Sequence, residues 1–370
     1  MEQVLVVGGG LAGLISAIGL ARKGISVTVI EKKNYPFHRV CGEYISNEVL
    51  PFLASLELDL TSLKPAHISR FQLSSPSGKL LQAPLDLGGF GVSRFSLDHF
   101  LYRHAVNLGV TFRLKTSVET VAFSGQKFEV SLSDGQKLDS ELVIGAFGKR
   151  ANLDRQLNRP FFRARSPYIG VKYHLKTDLP KDTIALHNFE NGYAGISAIE
   201  DDKYCFCYLT TRQNLKSAGT VAKMEEKVLS QNPRLKLIFR ESEFLYPQPE
   251  VINEISFAPK SAIADHILCG GDAAGMITPL CGNGMAMAIQ AGKLLSEHVA
   301  AYFLEHRNRN FLETQYAKTW QQHFGKRLQT GRLVQKLFGR KILSELAVGS
   351  LQFMPGVLQA IIKRTHGKPF

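Results

Sequence analysis

The first thirteen residues constrain the fold more than any other stretch. An unbroken apolar run, Val4-Leu5-Val6-Val7, leads straight into Gly8-Gly9-Gly10-Leu11-Ala12-Gly13. The run reads as a buried strand. Leu14, Ile15, Ala17, Ile18, Leu20 and Ala21 then recur at helical spacing as far as Gly24, and Val27-Thr28-Val29-Ile30 reads as a second strand. Glu31 closes that strand, 23 residues after Gly8. A lone G-x-G-x-x-G is a weak signal. Set between a strand and a helix, with an acid at this distance, it is the pattern of a dinucleotide-binding βαβ unit. Gly8 permits the tight turn, Gly10 lets backbone approach a pyrophosphate at the helix N-terminus, and Gly13 allows helix and strand to pack closely. Glu31 can accept from ribose hydroxyls and would repel a 2′-phosphate. A phosphate-free structural turn is the plain alternative, and the surrounding pattern weighs against it.

A second glycine-rich segment follows another short apolar run, Ile267-Leu268-Cys269. It reads Gly270-Gly271-Asp272-Ala273-Ala274-Gly275, and then Thr278-Pro279-Leu280-Cys281-Gly282-Asn283-Gly284-Met285 before a helix expected over 286–295. Asp272 can accept hydrogen bonds from ribityl hydroxyls. A helix opening at Gly282–Met285 would present its positive end to the pyrimidine edge of a reduced flavin. This segment favours FAD over a nicotinamide cofactor in the first fold.

On these residues the chain resembles the superfamily that joins geranylgeranyl reductases to p-hydroxybenzoate hydroxylase-type aromatic monooxygenases, over roughly residues 4–300. The resemblance implies FAD contacts at Gly8, Gly10, Gly13 and Glu31 on the ADP half, and at Asp272, Gly282, Gly284 and Met285 on the ribityl and ring half. Ser93-Arg94-Phe95-Ser96-Leu97-Asp98 resembles the helix start whose arginine, here Arg94, reaches the phosphate or ribityl chain. Val118 matches a position beside adenine. Phe37-His38-Arg39-Val40-Cys41-Gly42-Glu43 resembles the segment beside the flavin in the reductase-like branch, with Arg39 as an FAD contact and Cys41 near the ring. No catalytic residue and no metal site is assigned. One departure matters: the third fingerprint has an Asp between two glycines, and here Gly145-Ala146-Phe147-Gly148 puts Phe147 in its place. That makes direct reduction by NAD(P)H doubtful and raises a reductase partner as electron source. Halogenases of this fold carry a W-x-W-x-I-P signature, whereas the single Trp of this chain, Trp320, lies outside the flavin core.

The expected architecture is α/β. A Rossmann-like FAD-binding domain with a parallel sheet (1–60, 91–155 and 256–304) is interleaved with a mostly antiparallel substrate-binding sheet (61–90 and 156–255), and 305–370 forms a C-terminal helical segment. Within it a helix is expected from Ser96, with Ser96 as its cap, and a polar helix around 217–230. The five cysteines, scattered and odd in number, fit neither a disulfide framework nor a zinc site. With 44% hydrophobic and 21% charged residues, no transmembrane run and no signal peptide, a cytoplasmic protein is expected.

The net charge of +13 is uneven: after residue 300, twelve Lys and Arg stand against three Asp and Glu. That points to a local partner surface and away from nucleic acid. Within 331–370, Leu333, Val334, Leu337, Phe338, Ile342, Leu343 and Leu346 recur at helical spacing among Arg332, Lys336, Arg340 and Lys341; Val357, Leu358, Ile361 and Ile362 follow before Lys363-Arg364. Two readings stand: helices lying on the inner face of an anionic membrane, or a lid packed on the body. The functional expectation is an FAD-dependent oxidoreductase acting on a small hydrophobic substrate. Hydroxylation of an aromatic or polyketide-like compound is favoured, reduction of isoprenoid C=C bonds is the alternative, and a non-catalytic electron carrier is the third reading.

Overall fold

A computed structural model describes residues 2–163, 166–278, 282–337 and 340–370. The segment Pro279-Leu280-Cys281 and Phe338 therefore lie outside the described residues. In chain order the strands are β1 (Glu2–Val7), β2 (Val27–Glu31), β3 (Tyr44–Ser46), β4 (Ala66–Ser74), β5 (Leu80–Gly91), β6 (Thr111–Leu114), β7 (Val118–Ser124), β8 (Lys127–Leu132) and β9 (Lys137–Gly145). They continue with β10 (Tyr168–Lys176), β11 (Thr183–Phe189), β12 (Gly192–Ala198), β13 (Tyr204–Thr211), β14 (Glu243–Phe244), β15 (Glu250–Ile255), β16 (Ile263–Ala264) and β17 (Ile267–Cys269). The helices are α1 (Leu11–Ala21), α2 (Leu50–Ser55), α3 (Arg94–Asn107), α4 (Asn152–Gln156), α5 (Pro160–Arg163) and α6 (Arg212–Ala218). After them come α7 (Val221–Lys227), α8 (Pro233–Glu241), α9 (Gly284–Leu304), α10 (Arg309–Leu337), α11 (Lys341–Leu351) and α12 (Pro355–Thr365).

Among the described residues the strands form two sheets. In the first, β1 is central and parallel to both β2 and β9, and the order β17-β9-β1-β2-β6 is parallel throughout. Val4–Val7 are buried on both faces, which is why they read as a continuous apolar run. The meander β7-β8-β9 supplies the crossover back to β1. The chain leaves β1 for β2 on one side and enters β9 on the other, so a crevice opens where β1 and β9 end, the place where ligands bind in such sheets. The second sheet runs β14-β10-β13-β12-β11-β4-β5-β3, antiparallel except for the β4–β11 pair.

Three local expectations change. Helix α3 starts at Arg94, and its cap is Ser93, whose hydroxyl accepts from the Ser96 N–H at 3.1 Å. The helix expected over 217–230 is two short helices, α6 and α7, separated at Gly219, whose φ of +87° ends the first. Residues 44–46, expected within the first domain, form β3 and pair with β5 in the second sheet.

Helices α9 and α10 pack on the first sheet. Trp320 and Phe324 are buried there, and the Tyr316 hydroxyl donates to the Cys269 carbonyl at 2.7 Å. Helices α11 and α12 lie against β5: Gln352 donates to the Leu80 carbonyl at 2.9 Å and Gln359 to that of Pro84 at 3.1 Å. Val348 and Leu358 join an apolar cluster with Leu73, Leu186, Tyr193 and Leu209 from the second sheet, and Met276 packs against it.

Candidate functional site

The turn at the end of β1 is as tight as its glycines suggest. Gly8 has φ +105°, and a Cβ there would stand 2.4 Å from the Ala146 carbonyl oxygen at the end of β9. A Cβ on Gly13 would meet the Gly8 carbonyl oxygen at 2.0 Å. Gly10 is different. A Cβ on it would have only the Arg94 Nη2 nearby, at 3.8 Å, and Gly10 caps α1 without any side-chain hydrogen bond. Two of these glycines are required by the protein's own packing, while the third faces open space at a helix N-terminus with an arginine across it. That arrangement fits an anionic group such as a pyrophosphate.

Around this opening the structure gathers Glu31, Arg39 and Arg94. Glu31 accepts from the N–H of Gly9 at 3.0 Å and from Arg39 at 3.1 Å. Arg39 also donates to Asp98 at 3.0 Å, and Arg94 grips both oxygens of Asp98 at 2.7 Å. Asp98 is thus the shared anchor of both arginines, with its side chain only 1% exposed. It stands four residues after Arg94 in α3, a spacing that places both on one helix face. Val118, paired with Leu132, opens β7 two residues after Thr116, whose N–H donates to the Glu31 carbonyl at 3.2 Å.

Asp272 enters from the far side of the crevice. Gly271 packs on the start of α1, where its Cβ would lie 3.2 Å from that of Ala12. The Asp272–Ala273 turn is clamped from behind. Arg159 donates to the Ala273 carbonyl at 2.7 Å, and Lys260 donates to the carbonyls of Lys149 and Asp272 at 2.6 and 2.7 Å. Burial raises the Asp272 carboxyl above the ordinary Asp value, opposed by Lys260, Lys149 and Arg94. Burial lowers Lys149 to about 8, with Asp272 and Cys207 pulling the other way. The Lys149 ammonium is buried without a hydrogen-bond partner among the described residues. An unpaired cation beside Asp272 fits an acceptor-rich ligand in this space. At the start of α9, Gly282 adopts φ +63° and lies against Tyr44 of β3 and Ile184 of β11, so this turn sits where the two sheets meet. Asn283 donates to Glu48 at 3.1 Å, Arg327 binds the same oxygen at 3.0 Å, and Met285 is buried behind them.

Beside Cys41 lies a buried polar chain that sequence reading misses. Glu43 binds Lys172, accepts from the Arg94 N–H at 2.8 Å and meets the His174 Nε2 at 2.6 Å. His174 Nδ1 bonds the Tyr246 hydroxyl at 2.7 Å, and that hydroxyl is 3.2 Å from His38. The side chains of Glu43 and Lys172 are wholly buried. Burial opposes the charge of Glu43, yet Lys172 and His174 outweigh it and hold the carboxyl at about 2. Lys172 and His174 alternate on β10 and so point to one face, the only signal in the sequence for such a pair. Cys41 itself is pushed above its ordinary value by burial, with Arg94 opposing, so it stays a neutral thiol and packs as one. Glu43, His174 and Cys205 bring potential ligand atoms within 4.8 Å of one another. The ammonium of Lys172 on the same carboxylate opposes a cation there. A cleft of about 470 Å³ lined by Arg22, Phe52, Lys293 and Phe370 shares no residue with this site.

The family model described as an FAD binding domain matches residues 1–326. Digeranylgeranylglycerophospholipid reductase 1 of Methanococcoides burtonii is 25% identical over 366 residues, covering 91% of this chain and 83% of its own. Among solved structures, the flavin-dependent brominase Bmp2 superposes with a TM-score of 0.80 at 20% identity, covering 98% of this chain and 93% of that one. PqsL, a probable FAD-dependent monooxygenase from Pseudomonas aeruginosa, gives 0.75 at 16% identity, covering 94% and 99%. At these identities the structural likenesses concern the fold.

Proposed function

The chain belongs to the FAD binding domain family of FAD-dependent oxidoreductases, and from that premise we propose that it hydroxylates an aromatic or polyketide-like substrate carrying a long apolar chain. What supports an apolar substrate is the setting of Asp272: four residues beyond it, Met276 packs on an apolar cluster with Leu73, Leu186, Val348 of α11 and Leu358 of α12. When bound, FAD supplies the two-electron chemistry and, once reduced, the reaction with O2. The chain's own residues do the rest. Gly10, the α1 N-terminus and Arg94 would hold the pyrophosphate, Glu31 the ribose, and Asp272 the ribityl hydroxyls. Gly282, Gly284 and Met285 at the start of α9 would serve the flavin half, and Arg39 and Val118 the ADP half. Lys149 presents a positive charge beside Asp272. Tyr246 and His174, the latter oriented by the ionised carboxylate of Glu43, form a chain that can move a proton to or from half-buried His38. Such a relay suits a phenolic substrate, whose ring is activated when its hydroxyl gives up a proton.

Reduction of isoprenoid C=C bonds is the second reading, favoured by the relative from Methanococcoides burtonii and by the Cys41-Gly42-Glu43 segment. Photoreduced enzyme, given alkylresorcinols and isoprenoid lipids separately, distinguishes the two. O2 uptake matched by a product 16 mass units heavier supports hydroxylation. A product two mass units heavier formed without O2 assigns the chain to alkene reduction and defeats the first reading. For the electron source, Phe147 in the acidic position of the fingerprint favours a reductase partner over NAD(P)H. Stopped-flow reduction by NADPH faster than turnover would remove the partner from the account.

A further inference from the structure

Helices that only roof a core turn their large apolar side chains inward, and α11 and α12 do not. In α11 the inward positions Ser344 and Val348 are 0% exposed, while Ile342 and Leu346, one turn apart, are 73% and 64% exposed. The turn into α12 continues the pattern, with Phe353 85%, Met354 50% and Val357 42% exposed beside buried Leu358. Phe353 and Met354 lie at the break between α11 and α12, a helix pair bent by 115°. Contiguous outward apolar surface of this kind marks an interaction site.

The charges around the corner identify the partner. Between residues 331 and 370, seven Lys and Arg stand against one acid, Glu345. That acid is taken up by Ser77, whose N–H and hydroxyl donate to it at 2.6 and 2.8 Å. Arg340 and Lys341 are exposed where α11 starts, and Lys363 and Arg364 where α12 ends. Basic ends thus flank an apolar corner. Among the described residues, the one ion pair made by these four cations joins Lys363 to Asp86 at 3.5 Å and is itself mostly exposed. Among the described residues no single helix is long and apolar enough to cross a membrane, and this pair passes by length and composition only when joined across its bend. At 1.5 Å per residue each helix spans about 16 Å, a length suited to lying in an interface.

We propose that α11 and α12 dock the protein on an anionic lipid surface. Leu346, Phe353, Met354 and Val357 enter the boundary between headgroups and acyl chains, while Arg340, Lys341, Lys363 and Arg364 meet the lipid phosphates. The inference rests on the hydrophobic-substrate reading above, since a lipophilic substrate is held in the bilayer on which the protein would dock.

The test is flotation of full-length, FAD-loaded protein with vesicles of phosphatidylcholine alone or mixed equally with phosphatidylglycerol. The wild type floats with the anionic vesicles at low salt, stays down with the neutral ones, and is released at about 0.5 M salt as screening shortens the Debye length. Leu346→Asp with Phe353→Asp abolishes flotation. Arg340→Gln with Lys341→Gln weakens partitioning about 25-fold, at roughly fivefold per charge. FAD absorbance on the same samples reports the body separately, so lost flotation with full FAD isolates the surface. Flotation by protein that never loads FAD would support the surface while sinking the flavoprotein reading. Wild type that is FAD-loaded yet stays down at low salt overturns the proposal, as does salt-independent binding to neutral vesicles. So does a wild-type dimer that Phe353→Asp converts to a monomer, with no flotation, since that outcome gives the corner to a second copy of the chain.

Discussion

Replacing Glu43 by Gln keeps the shape of the side chain and removes its charge. In the wild type Lys172 and Glu43 form an ion pair with both side chains 0% exposed, and His174 and the Arg94 N–H converge on the same carboxylate. The substitution leaves the Lys172 ammonium buried without a counter-charge. Breaking one partner of such a pair costs about 3–5 kcal/mol. With a urea m-value near the upper end of ~1–3 kcal/mol/M for a chain of this size, the midpoint falls by roughly 1–2 M. The deficit depends on pH in a defined direction. Without Glu43, burial depresses Lys172, so the unfolded variant binds more protons at high pH and its stability rises as Lys172 sheds its proton. The gap to wild type therefore narrows between pH 7 and pH 10. Adding Lys172→Met removes the stranded charge and recovers most of the loss. Urea melts of the four proteins in the cycle, at both pH values, measure this. A Glu43→Gln variant as stable as wild type, or a double variant whose loss is the sum of the two singles, would show that no stranded charge is created. On the acid side Glu43, held at about 2, contributes stability that is complete above the ordinary Glu range and lost as pH falls toward 2.

Gly10→Val leaves the apo fold near wild-type stability, because only Arg94 lies near its Cβ position, but weakens FAD binding by at least about tenfold, or ~1.4 kcal/mol; fluorescence titration and apo melts read the two effects, and unchanged affinity would return the loop to a purely structural turn. Gly13→Ala, with its Cβ 2.0 Å from a backbone oxygen, destabilises the apo protein itself. Lys149 and Lys260, both lowered to about 8 by burial, bind fewer protons folded than unfolded above that pH. Apo stability accordingly rises from about pH 8 toward the ordinary lysine range; Lys149→Met flattens the rise, and an unaltered slope in that variant would show that Lys149 is not the group titrating.

The part of the site that is local in sequence is legible there. Gly8 and Gly13 announce themselves because a strand-to-helix turn with backbone in contact admits no side chain, and Glu31 because it ends the adjacent strand. Asp98 was within reach, one helical turn from Arg94. The Glu43–Lys172–His174 chain was not, since it joins residues 129 and 131 positions apart whose pairing depends on how the second sheet meets the first. Lys149 escaped for another reason: its neighbour Phe147 breaks the expected fingerprint, and nothing in the spacing shows that an unpaired ammonium follows it into the interior. In the tail, periodicity reveals apolar stripes but not which side the body takes. Helix α11 turns Ser344 inward and Leu346 outward, the reverse of what composition suggests, because the Ser77–Glu345 contact and the Gln352 bond to β5 set its rotation.

On the function proposed above, the crevice between β1 and β9, bordered by Arg94, Lys149 and Asp272, holds one FAD. Equilibrium dialysis of the apo chain against FAD, followed by absorbance of the protein-bound flavin, measures this stoichiometry. Binding is expected to saturate at one FAD per chain and to be weakened in both Gly10→Val and Asp272→Ala. A folded wild-type chain that takes up no FAD under any loading condition would contradict it.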